Sequence, residues 1–468
     1  QLEHFNFETR KVDVIADGLT DASISGDGKY VVIRNDDELH VQPSDRKVDA
    51  DDDARVEIDV NRLVRQLDQR AEWRGMFDDN GRIMATHFWR EDLDGVDWQA
   101  VLQRYRPLID RCLTHDDVVD VIYETVGELN TSHAYVISTN QYGDADRKLG
   151  MLGADLTMTA EGARIDRMLN GDTSDPAARA PLLAAGVGGK VGDVIVAVNG
   201  QSVAEAGGVG PLLQGAAEKV VELTMSCDGQ QRRVAVVPLA DELALRYMDW
   251  VDSRRRYVEE RSGGKLGYVH VPDMVANGWA QFHREIERAT QHDGVVVDVR
   301  WNHGGHTSQL IVERLSRKLT SWDFVRHSAR AGHAPSQAIR GPLVMVTNQW
   351  AGSDGDIVGA AFQTRELGPV VGERSWGGVI GIDGRFDLVD GTEVTQPRYA
   401  TYDLKYGWEL ENHGVDPDVE VIVSPADFVT ENERDVQLDK AIEIALAQLA
   451  QQPAITPPSL PAPRVTRR

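Results

Sequence analysis

Residues 342–363, PLVMVTNQWAGSDGDIVGAAFQ, hold a six-residue apolar run, a turn rich in Gly, Asn and Asp, and a second apolar stretch spaced for a helix. The run PLVMVT is too short for a helix and is bounded by turn residues, so it reads as a buried strand, with a helix over DIVGAAFQTREL at 356–367. The same alternation recurs upstream. LGYVHV (266–271), GWAQFHREIERATQH (278–292), GVVVDVR (294–300), the loop WNHGGH (301–306) and TSQLIVERLSRKL (307–319) read as strand, helix, strand, loop and helix. Buried strands alternating with helices predict an α/β core, assigned to residues 243–448, with its ligand site beyond the carboxyl ends of the strands. Both glycine-rich loops fall at those ends.

The rest of the chain predicts a multidomain α+β and α/β protein. Residues 149–242 form a separate module around LLAAGVGGKVGDVIVAVNGQSV (182–203), followed by the strand KVVELTMSC (219–227). Its glycines fail the phosphate-loop test, because Val191 follows Lys190 where Ser or Thr is required. The order of glycine segment, Gly-Asp, apolar strand and Asn199-Gly200 turn resembles a PDZ domain instead, a fold that adds peptides as an extra strand. A rigid spacer would read the same way. Residues 63–148 are mainly helical: Trp73, Met76, Phe77, Ile83, Met84 and Phe88 share one helix face, with Gly81 weakening its middle. A second helix follows in DWQAVLQRYRPLIDRCL. A third starts at the candidate cap Thr114 and buries Val118, Val119, Ile122, Val126 and Leu129. Residues 1–48 alternate as short strands between Gly, Asp and Asn turns. The acidic stretch 49–62 reads as a linker and the proline-rich 449–468 as an extended tail.

Composition narrows the function. Seventy-five acidic residues against 50 basic ones give a net charge of −25, which repels phosphate backbones and anionic membranes, so no nucleic acid or membrane partner is expected. No apolar run approaches about 18 residues, and QLEHFNFETRKVDV lacks a signal pattern. A cytoplasmic address is the expectation. Cys112 and Cys227 are far apart and fit a reducing compartment, as two buried small hydrophobes. No metal-ligand spacing is present.

Ser353 sits where the strand hands over to the helix, and its hydroxyl there either caps the helix or attacks a carbonyl. The order Gly352-Ser353-Asp354-Gly355 does not fit the G-x-S-x-G elbow. A nucleophilic serine needs a base, and with 13 histidines in the chain spacing does not choose one. His303 and His306 flank the glycine pair, and His283 and His292 fall on the helix read at 278–292.

Four motifs in order choose. GELNTSHAYV (127–136), DVRWNHGGH (298–306), NQWAGSDGD (348–356) and ENHGVDPDVEV (411–421), with the PDZ-like module between the first two, resemble the catalytic half of the tricorn protease family over roughly residues 10–445. The resemblance implies two α/β-rich catalytic parts around a PDZ domain, behind β-propellers. Residues 1–48 are then the closing strands of a propeller blade, and the chain is expected to be cut from a longer one.

The same resemblance implies a serine peptidase acting on oligopeptides through a tetrad of Ser353 as nucleophile, His133 as base, and Ser132 and Glu411 behind it. Backbone amides of Gly305, with Gly304 as its neighbour, and Asp354 would hold the oxyanion. It implies a homo-oligomer, a hexamer, and no cofactor or metal. An acidic residue from another subunit would select basic side chains, and Asp323 in LTSWDFV is the local match. Neighbours in a strand face opposite ways, so Ser132 and His133 cooperate only if the backbone turns between them. Three alternatives stay open: a carboxyl-terminal processing protease with a Ser/Lys pair, a PDZ scaffold without catalysis, and a crotonase-like acyl transferase. Against the first, Gly378 in GERSWGGV stands where the lysine is required.

Overall fold

The structure is a computed structural model and describes residues 1–36, 38–64, 66–140, 143–144, 147–171, 178–227, 229–328, 330–428 and 434–462. The chain divides into two compact units, Gln1–Trp73 and Arg74–Arg468.

In the first unit, Leu2–Asn6 pairs with Lys11–Ala16, and Asp21–Ile24, Tyr30–Asn35, Glu38–Pro43 and Val56–Glu57 form an antiparallel meander. Alternation decides which side chains are inside: Val31 and Ile33 of one strand are buried with Ile15, and the residues between and beside them are exposed. The stretch read as a linker supplies the last strand, Val56–Glu57. Both of its residues are exposed, so only backbone pairing marks it and no apolar pattern announces it.

Helix α1 spans Gln69–His87, and the division between the units falls within it. All six apolar residues of its expected face are buried. Gly81 has a reason to be there: a Cβ at that position would stand 2.9 Å from both methyl carbons of Leu102 on α2, Trp98–Ile109. Its carbonyl also accepts the Trp98 indole N–H at 2.9 Å. Helix α3, His115–Gly127, opens on a capping box in which Thr114 and Asp117 satisfy each other's backbone amides. Its expected apolar positions are buried, with Leu129 just beyond its end.

The module at 149–242 is an antiparallel sheet in the order Gln230–Val236, Val221–Cys227, Val194–Val198, Ala163–Met168, Ala154–Met158. Asn199 at φ 48° and Gly200 at φ 78° make the tight hairpin that the Asn-Gly pair predicts.

The core sheet is all parallel: β1 (Leu266–His270), β2 (Gly294–Asp298), β3 (Leu343–Thr347), β4 (Val370–Gly372) and β5 (Val419–Glu420), adjacent in that order. The first four are buried on both faces, as helices packed on each side require. Helices α5 (Ala276–Ala289), α6 (Ser308–Leu315) and α7 (Asp354–Thr364) cover Val269, Val295, Val297 and Met345 on one face. Helices α4 (Leu243–Arg261) and α8 (Val436–Gln451) cover Tyr268, Val296, Val344 and Val346 on the other. His292 lies beyond the end of α5, so the helix read at 278–292 is too long: the chain caps at Thr290 and turns into β2. Both cysteines are free thiols, Cys112 buried and Cys227 only half-buried.

Candidate active site

Two loops at the carboxyl ends of β2 and β3 are stitched together. At the end of β2 the buried Arg300 guanidinium reaches both Asp298 (2.7 Å) and Asp435 (3.0 Å), which fixes the start of the glycine loop. Asn302 then does three things: its Nδ2 donates to the Val271 carbonyl (2.7 Å), its Oδ1 accepts from Gly304 N–H (2.9 Å), and its own carbonyl accepts from Gly352 N–H (3.0 Å). The last bond ties the glycine loop to the serine loop.

Ser353 opens α7 at φ 57° and ψ −122°, a conformation side chains rarely take. Its hydroxyl makes no cap bond, so of the two local readings the helix cap is not the one formed. Gly304 is needed opposite it, because a Cβ there would stand 2.5 Å from the Ser353 Cβ and 3.0 Å from its Oγ. The Asp354 carboxylate turns away and accepts from the Ser308 N–H (2.8 Å) and hydroxyl, holding the first turns of α6 and α7 together. Among the hydrogen bonds of the described residues, the amides of Gly305 and Asp354 have no acceptor. The Gly304 amide does have one, in Asn302.

The second half of the constellation comes from the segment after α3. The chain turns at Ser132–His133 before the short strand Val136–Ile137, which pairs with Glu393–Val394. That turn lets the two neighbours cooperate: Ser132 Oγ lies 2.7 Å from His133 Nδ1 and donates to Glu411 Oε2 at 3.2 Å. Glu411 also accepts the amides of Ser132 (2.8 Å), Val379 (2.6 Å) and Ile380 (3.0 Å). With the Ser132 proton assigned to Glu411, which only accepts, the serine oxygen accepts from Nδ1–H and Nε2 carries the lone pair. Burial pushes the His133 pKa below its ordinary value, and the Glu411 carboxylate pulls the other way.

Ser353 and His133 do not share a hydrogen bond in the structure. They meet through Trp376, whose indole lies edge-on to the His133 ring at 5.2 Å between centroids and whose backbone N–H donates to the Ala351 carbonyl near the serine. Catalytic hydrogen bonds often tighten only when substrate is bound. Asp323 is exposed on the hairpin Ser321–Asp323/Gly332–Ala334, and among the described residues no hydrogen bond or ion pair ties it to the other candidates. Among the described residues no cluster of three or more His, Cys, Asp or Glu is arranged to hold a metal, and no helix is long and apolar enough to cross a membrane.

Sequence reasoning missed Asn302, Asp356, Trp376 and Thr395. The Thr395 hydroxyl donates to the His133 carbonyl (2.6 Å) and accepts from Tyr135 N–H (2.8 Å). Asn302 and Asp356 lie inside DVRWNHGGH and NQWAGSDGD, where polar residues beside glycines are the available signal; Thr395 has none.

Family models for peptidase family S41, the tricorn protease PDZ domain and the tricorn protease C1 domain match residues 265–421, 150–241 and 69–127. The chain belongs to the tricorn protease family. It is 53% identical over 466 residues to Tricorn protease homolog 1 of Streptomyces coelicolor, an alignment covering 98% of this chain and 43% of that one. It is 37% identical to a Putative Tricorn-like protease C-terminal subunit of Sulfurisphaera tokodaii, covering 97% of this chain and 52% of the relative. The solved crystal structure of the tricorn protease superposes with a TM-score of 0.83 at 32% identity, over 96% of this chain and 43% of that chain. The chain thus spans about half the length of the tricorn relatives it matches, with the S41 peptidase fold and the PDZ domain both within it. In the S41 core, Gly378 has no room for a lysine: a Cβ there would stand 2.3 Å from Trp376 Cζ3.

Proposed function

We propose that this chain hydrolyses peptide bonds of short to medium oligopeptides through an acyl-enzyme on Ser353. The observation that carries the reading is the hydrogen-bonded series Glu411–Ser132–His133, which leaves Nε2 as the one basic ring nitrogen. His133 Nε2 takes the Ser353 proton as Oγ attacks the carbonyl carbon, and returns it to the leaving amine. Water then repeats the sequence on the acyl-enzyme, releasing the acid and restoring the serine. Imidazolium forms next to Ser132, and Glu411 behind it stabilises that charge. The Gly305 and Asp354 amides receive the oxyanion, since neither is spent on the protein, Asp354 follows Ser353 directly and Gly305 follows Gly304, which lies against the Ser353 side chain.

The further parts of the reading rest on the family: a homo-oligomer, a hexamer, in the cytoplasm, degrading peptides made by larger proteases, with Asp323 of a neighbouring subunit favouring basic residues before the cleaved bond. The domain limits proposed are 1–48, 49–62, 63–148, 149–242, 243–448 and 449–468; residues 463–468 of the last lie outside the described ones. The test is hydrolysis of short fluorogenic peptides by the purified chain beside a thioester substrate. Peptide turnover should fall on the order of 10⁴-fold or more in Ser353→Ala and His133→Ala, and a fluorophosphonate should attach at Ser353. Unchanged turnover in both variants, or thioester cleavage alone, would overturn the assignment.

A further inference from the structure

One six-residue segment, Ser375–Ile380, bridges the helix that Ser353 opens and the Glu411 carboxylate behind Ser132. Its first half is bound to the nucleophile's helix: the Asp356 carboxylate, fully buried one turn after Ser353, accepts the Ser375 hydroxyl and the amides of Gly377 (2.8 Å) and Gly378 (3.2 Å). Its second half is bound to the acid: Val379 and Ile380 donate to Glu411. Between the two, Trp376 lies against His133 at an interplanar angle of 69°. The glycines on either side make room for the indole and nothing else. A Cβ on Gly352 would stand 2.5 Å from Trp376 Cε3, and one on Gly378 would meet the same ring at Cζ3.

We propose that Trp376 is the positioning residue for His133, holding the imidazole at the distance from Ser353 at which substrate binding closes the hydrogen bond. The proposal rests on the peptidase reading above. The ring is held by Ser132 at Nδ1 and flanked by Tyr135 and Trp376, and of the three only Trp376 is bonded directly to the loop that carries the nucleophile. The indole is 44% exposed and lies against the buried imidazole, so it stands between that side of the ring and water.

The experiment compares wild type, Trp376→Ala, Trp376→Phe and Gly378→Ala on one fluorogenic peptide, reading kcat, KM and the acid limb of the pH profile, with Ser353→Ala as the blank. Trp376→Ala should lower kcat by about 10²-fold with KM little changed. It should also move the acid limb upward, since water returns to a ring faced otherwise by Glu411 and Tyr135. Trp376→Phe should restore most of kcat and the wild-type limb. Gly378→Ala keeps the indole but displaces it, and should reproduce the loss, which covers the case in which Trp376→Ala fails to fold. A wild-type kcat and limb in Trp376→Ala, or a change in KM alone, would overturn the proposal. Wild type no better than Ser353→Ala would sink the peptidase reading itself.

Discussion

Ser353 is held where few side chains settle, and the cost is of order 1–3 kcal/mol for such a backbone. Replacing it with glycine should therefore remove the reaction and raise stability by about 1 kcal/mol, measured by parallel melting of the two proteins; a lower melting point in Ser353→Gly would mean the conformation is unstrained. The neighbouring constraint is steric. Gly304→Ala should cut kcat and cost stability together, because the residue sits at φ 76° and the new methyl enters the Ser353 side chain and the Gly352 carbonyl. For His133 the sign is fixed by burial: a lowered pKa keeps the ring neutral and basic below its ordinary 6.5, so the acid limb of kcat/KM should lie under that value. Glu411→Gln should lower the limb further, having removed the charge that opposes burial, and reduce kcat by roughly 10²-fold or more. For folding, a depressed histidine pKa means stability fully present above about 6.5 and lost as pH falls below it.

At the scale of elements, two helix starts can be weighed separately. Thr114→Ala removes one side of the α3 capping box and should cost about 1 kcal/mol, with no direct effect on the site. Asp356 in the first turn of α7 behaves in the opposite sense to an ordinary surface carboxylate, for burial raises its pKa to about 6. Such a group favours the fold while neutral, and its contribution is lost as pH rises from about 4 through 6. Asp356→Asn should thus gain on the wild type over that interval by an amount on the order of 3 kcal/mol, offset at every pH by the acceptors it gives up. These elements differ in how far sequence announces them. The buried faces of α1 and α3 and the runs of β1, β2 and β3 are legible because an apolar period of 3.6 arises rarely outside a helix, and an unbroken apolar run between turns rarely outside a buried strand. The ribbon Val136–Ile137/Glu393–Val394 is not, since two residues carry no period and their partner lies more than 250 positions away. Ser132, His133, Ser353 and Glu411 are named through motif resemblance. Local spacing leaves each of them as an ordinary turn residue, and the bond from the Gly304 amide to Asn302 is visible only once the loop is folded.

For the molecule as a whole, charge is the property that acts at a distance. A net −25 draws cationic peptides toward the protein and repels anionic ones, and salt screens both effects. Peptides with Lys or Arg should lose kcat/KM as ionic strength rises while neutral peptides of equal length hold theirs; identical salt curves would assign any basic preference to a local contact such as Asp323. The order of parts along the chain has its own consequence. His133 is made first, Ser353 emerges 220 positions later and Glu411 later still, with a whole PDZ domain synthesised in between. On the proposed reading, a chain that ends before Ser353 holds His133 without its partner, and the reaction waits until the core that carries Ser353 and Glu411 has folded.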